Sequence, residues 1–101
     1  MMTFYAKVHQ YQNEKLIAIC DAELMGRTLK HNGIELNVSE RFYGQLEYSK
    51  EEILIELKNA TSVNVIGQDI CEILIEENMV HEDTIMWIEE DDKIGHVIVV
   101  K

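Results

Sequence analysis

The chain has 101 residues, 47% hydrophobic and 28% charged, with no proline and a formal net charge of −10 at pH 7. A chain of this size is expected to make one domain, residues 1–101, and its longest apolar runs, ILI and VIVV, fall far short of the roughly 20 residues of a membrane helix. The acid excess is confined to one half: residues 1–50 carry six Lys/Arg and six Asp/Glu, residues 51–101 three and thirteen, and so negative a surface argues against non-specific binding to nucleic acid, which needs cations to neutralise phosphates.

The opening residues MMTFYAKVHQYQ lack the basic-then-apolar pattern of a signal peptide, so a cytoplasmic location without membrane association is expected. Cys20 and Cys71 are too few for a disulfide framework and are read as thiols. TFYAKVHQY sets Phe4, Ala6 and Val8 against Tyr5, Lys7 and His9 with a period of two, and LIAIC follows the polar turn QNEK; the pair predicts a β-hairpin. Asp21 then suits the N-cap of a helix over 21–31, with Ala22, Met25 and Leu29 at helical spacing and closure near His31-Asn32-Gly33. IELNV reads as a strand, and SERFYGQLEYS as an irregular segment with LEY extended.

Ser49 and Glu52 form a capping box for a helix over 50–59, with Ile53, Leu57 and Ala60 on its apolar face. TSVNVIG is β-branched and short, hence a strand. QDICEILIEEN predicts a helix over 68–78 that buries Ile70, Ile73 and Leu74 and turns Glu72, Glu76 and Glu77 to water. TIMWIE and GHVIVV, around the acidic EDDKI, make a closing hairpin. Hairpins mixed with helical crossovers define an α+β fold, a two-layer sandwich in which about three helices cover one face of a mixed, mainly antiparallel sheet.

Four of these stretches, CDAELMG, IELNVSERFYG, SVNVIGQ and the terminal strand with its Gly-His step, resemble in their order the archaeal conserved family catalogued as domain of unknown function 424. The family pattern has a second glycine after FYG, where this chain has Gln45, and a Pro-His step where it has Gly95-His96. The resemblance implies an archaeal cytosolic α+β protein and transfers no activity.

Two readings are open to these residues, one catalytic and one of interaction. A thiol at a helix N-terminus has its pKa lowered by the helix dipole, so Cys20, with Asp21 and a histidine base such as His96, would suit a small hydrolase or transferase. Against this, His9, His31, His81 and His96 stand in no motif, and Cys20 equally ends a buried strand while Asp21 caps a helix. No metal-ligand spacing exists, the acidic run 89–92 reads as a solvated hairpin tip, and the single glycines make no phosphate loop, so neither metal nor cofactor is expected.

The preferred reading is a noncatalytic interaction module for a protein or ribonucleoprotein partner, with the oligomeric state left open. Its surface would combine Asp21 and Arg27, with Lys30, on the first helix; Arg41, Phe42, Tyr43 and Gly44 in the irregular loop; and Asn64 and Gly67 of the NVIG turn.

Overall fold

A computed structural model describes residues 2–88 and 90–101. The period-two segment and the run after it form neighbouring antiparallel strands, β1 (Thr3–Tyr11) and β2 (Glu14–Asp21), in register from Phe4 opposite Asp21 to Tyr11 opposite Glu14. Then the chain departs from expectation. Residues 22–31 are not a helix: a single 3-10 turn at Ala22–Leu24 gives way to a small hairpin of β3 (Thr28–His31) and β4 (Ile34–Asn37). Asn32 (φ 51°) and Gly33 (φ 77°) occupy the tight turn between them, a positive-φ pair that favours a two-residue hairpin over a helix end.

A one-turn helix α1 (Glu40–Tyr43), capped by the Ser39 hydroxyl, leads to β5 (Leu46–Ser49), so LEY is extended as expected. The capping box is present: Ser49 Oγ accepts from Glu52 N and Glu52 Oε1 accepts from Ser49 N, starting α2 (Lys50–Asn59). Next come β6 (Ser62–Gly67), α3 (Asp69–Glu76), β7 (Met86–Trp87) and β8 (Gly95–Val100). The closing hairpin thus forms, with its first strand cut to two residues because the chain at Glu82–Thr84 is a 3-10 turn.

The main sheet has the order β5-β1-β2-β6-β8-β7; β2 and β6 are parallel and every other neighbouring pair is antiparallel. The class is α+β. The two longer helices lie on one face, where Ile53 and Leu57 of α2 and Ile70, Ile73 and Leu74 of α3 close over Phe4, Ile17, Ile19, Val63 and Val65. Alternation along the strands sends Ala18, Cys20 and Ile66 to the other face. There Leu24, Leu29, Val38 and Tyr43, from the 3-10 turn, β3, the residue after β4 and α1, form a second apolar cluster. The third helix is therefore α1, and it sits across the sheet from the other two. Among the described residues no helix is long and apolar enough to cross a membrane.

Candidate functional site

Asp21 lies on the helical face, 2% exposed, and caps a helix remote in sequence. Its carboxylate accepts from the backbone N–H groups of Gln68 (2.8 Å), Asp69 (2.9 Å) and Ile70 (3.0 Å), the orphan donors at the start of α3, and it caps nothing in its own 3-10 turn. The local N-cap expected from sequence is thus replaced by a long-range one. Burial pushes the Asp21 carboxyl above its usual range, opposed by those three donors. Gly67 is a close approach: with φ 147°, a Cβ there would stand 2.4 Å from the Asp21 carboxylate. Asp21 and Gly67 are thus buried parts of one helix-capping device and do not share a surface with the arginines.

Cys20 points the opposite way and is fully buried. Burial pushes its thiol up to about 12, and the single 3-10 turn that follows it is too short to supply the helix dipole that would lower it. In register across the sheet, Cys20 pairs with Ile66 and Ile66 with His96. Two strand spacings, about 10 Å, therefore separate thiol from imidazole. The Cys20–His96 couple considered from sequence is not formed.

His96 serves a different contact. Asn64, flanked by Val63 and Val65 of the helical core, turns to the second face, where its Oδ1 lies 3.3 Å from Tyr43 Oη and 3.3 Å from His96 Nε2. A carbonyl oxygen only accepts, so the Tyr43 hydroxyl donates and His96 carries a proton on Nε2. Burial lowers the His96 pKa and raises that of Tyr43, keeping both neutral. Gly95 before it is required by packing, since a Cβ would meet Ile85 Cγ2 at 2.5 Å and Cys71 Sγ at 2.9 Å.

The loop residues do come together. Phe42 stacks on His9, with ring centroids 4.9 Å apart and planes inclined by 27°, and meets Tyr43 edge-on at 4.9 Å. His9 Nε2 also lies 2.8 Å from the Phe42 carbonyl, and Lys7 Nζ donates to the Arg41 carbonyl at 3.0 Å. These contacts fix α1 against β1 and leave the Arg41 side chain exposed. Beside them runs an open groove of about 580 Å³, lined by Ala6, Lys7 and Val8 of β1, by Glu40, Arg41, Gly44 and Gln45, and by Leu46 and Tyr48 of β5. Of the expected surface, Arg41 and Gly44 line this groove; Arg27 is exposed in the turn before β3 and Lys30 on β3, outside it. Lys7, Gln45 and Leu46 also line it and were not among the expected site residues. No local signal marks them, because the nine-residue β1 outruns the four-residue β5 only once the two strands are paired.

Among the described residues no group of three or more His, Cys, Asp or Glu is placed to hold a metal ion. Glu89, part of the acidic run read as a hairpin tip, lies outside the described residues. What fold and groove define is an α+β protein whose mixed sheet is covered on both faces and left open along part of one edge. The sequence matches, over residues 9–98, the family described as "Protein of unknown function (DUF424)", and the chain belongs to that family. In fold it is similar to a solved structure described as an uncharacterized conserved protein from Methanopyrus kandleri, with a TM-score of 0.77 and 22% identity over 97% of this chain and 92% of that one. No curated protein matches the chain.

Proposed function

We propose that this protein is a noncatalytic, cytoplasmic interaction module that receives a protein or ribonucleoprotein partner at the α1 loop and the groove beside it. The observation that carries this reading is the rigid setting of Arg41: Phe42 and Tyr43 are locked by His9 and Asn64, while the guanidinium beside them stays exposed at the groove. An exposed cation on a rigidly held backbone next to apolar surface is the composition of an interface anchor. The buried, high-pKa Cys20 gives no support to a nucleophilic reaction.

The reading is tested with Arg41→Glu and, as a control on the far helical face, Glu76→Lys. Immobilised wild-type protein and both variants are challenged with cell extract at low salt, and bound protein and RNA are identified. Loss of the same partner with Arg41→Glu and its retention with Glu76→Lys are expected. The reverse pattern would place the interface on the acidic helix and overturn the assignment.

A further inference from the structure

Strand β1 is longer than the strand beside it. The β1–β5 ladder runs from Thr3 opposite Ser49 to Ala6 opposite Leu46 and stops there, whereas β2 accompanies β1 to Tyr11. Residues 7–11 therefore have a strand partner on one side only. The chain leaves that edge at Gly44, whose φ of 85° turns it away, and a Cβ at Gly44 would stand 2.7 Å from the Ala6 carbonyl oxygen.

That contact also fixes which backbone groups face outward. With the Ala6 carbonyl directed to the β5 side, alternation along an antiparallel strand sends the N–H and C=O of Val8 and Gln10 to the same side. The hairpin agrees independently. Tyr11 and Glu14 flank a two-residue loop and so bond each other, which turns Tyr11, His9 and Lys7 toward β2 and Val8 and Gln10 away from it. The groove at this edge continues the lane of β5.

The geometry points to strand addition: an extended segment of a partner protein, alternating apolar and acidic side chains, pairs antiparallel with β1 at Val8 and Gln10. This rests on the interaction reading above and specifies its partner. Outward N–H and C=O groups at peptide spacing match another peptide backbone and have no counterpart along a nucleic acid. On the helical side of the lane, Val8 and Tyr48 pack on the core and Leu46 stays 69% exposed, an apolar strip for every second side chain. On the other side stand Lys7 and Arg41, tied together by the Lys7–Arg41 carbonyl bond, two cations against the single charge of Glu40, whose carboxylate accepts from the neutral Gln45 Nε2 at 3.1 Å. Those cations call for carboxylates. A second copy would bring a whole domain of net charge −10 against a chain of the same sign, whereas a short segment sets its carboxylates against Lys7 and Arg41 alone.

The test uses a blocked peptide of alternating valine and glutamate, about eight residues long, and its valine-lysine counterpart. Backbone amide exchange is followed on the whole protein. At saturation the valine-glutamate peptide should slow exchange of the Val8 and Gln10 amides about tenfold or more, with no such change at Ile98, whose N–H faces outward on the far edge. The lysine peptide should bind at least about tenfold more weakly. Gln10→Pro removes one outward N–H and should abolish the protection; Arg41→Glu, which leaves the strand untouched, should cut affinity about tenfold if the proline variant fails to fold. Equal binding of both peptides, or protection elsewhere, overturns the proposal. So does protection of Val8 and Gln10 in concentrated protein alone that disappears on dilution, which would make the occupant a second copy. If Arg41→Glu releases the extract partner but the peptide protects neither amide, strand addition falls and the module reading stands; peptide protection with an extract partner indifferent to Arg41 supports strand addition and removes the earlier reading.

Discussion

Asp21 shows how one side chain can carry an element remote in sequence. It satisfies three helix donors that have no other partner, and it is buried where water cannot replace it. Asp21→Ala should therefore cost about 3 kcal/mol, more than an exposed cap, since leaving buried donors unmade costs about 1–3 kcal/mol each and some relax. Gly67→Ala should be similarly damaging, and a double-mutant cycle in chemical denaturation should find the two strongly non-additive; simple additivity would mean the carboxylate is not what fills the space above Gly67. Cys20 and Cys71, both buried and both pushed up to about 12, should be inert to a thiol reagent at pH 8 in the native protein and react only on unfolding. Rapid native labelling of Cys20 would contradict its placement. For His96 the sign is set by its lowered folded pKa: the unfolded chain binds the proton more readily, so stability is full above the unfolded value of about 6.5 and is lost as the pH falls below it. His96→Gln, which can still donate to Asn64, should unfold with a shallower acid dependence between pH 7 and 5 than the wild type. Identical slopes would show that His96 is not a contributor.

Among the elements, what the sequence made legible was whatever its local pattern alone decides. The Ser49/Glu52 box starts α2, and the two periodicities of TFYAKVHQY and QDICEILIEEN mark a strand and a helix. Ser49→Ala should cost about 1 kcal/mol, read as a shift in denaturant midpoint. The segment 22–31 was misread because Ala22, Met25 and Leu29 meet a helical template while Leu29, Leu36 and Val38 also meet a strand template. The decisive signal was Asn32-Gly33, the strongest short-range hairpin pair, which competed with a glycine helix-stop reading at the same place. Tertiary burial settles the contest: Leu29 is fully buried in the second cluster, whose members include Cys20 and Ile66 of the sheet. Leu29→Ala should lose about 2–5 kcal/mol; a loss under about 1 kcal/mol would mean the hairpin is not integral to the core. Of the candidate site, Arg41, Phe42, Tyr43 and Gly44 were found because basic and aromatic groups in an irregular loop stand out. The groove itself was hidden, since where β5 stops along β1 depends on pairing between residues 40 or more apart. Asp21 was recognised as a cap but given to the wrong helix for the same reason.

For the molecule entire, the asymmetry of charge sets a condition on stability. The protein measures 35 × 31 × 27 Å, so at about 0.01 M salt, where the screening length is about 30 Å, nearly every charge feels every other. Thirteen of the nineteen carboxylates follow residue 50, and only three Lys/Arg accompany them. Net self-repulsion should then oppose folding at low salt and fade as the screening length falls to about 3 Å at 1 M. The melting temperature should rise by about 5 °C from 0.01 to 0.5 M sodium chloride, the response of a domain this size to about 1 kcal/mol. Glu76 offers a specific check, for it is exposed at the C-terminal end of α3, where the helix dipole is itself negative. Glu76→Lys removes repulsion from both sources at once, and should raise the low-salt melting temperature and flatten its salt dependence. A melting temperature that falls on adding salt would instead mean that attractive pairs dominate, and the acidic half would have to be regarded as a stabilising network.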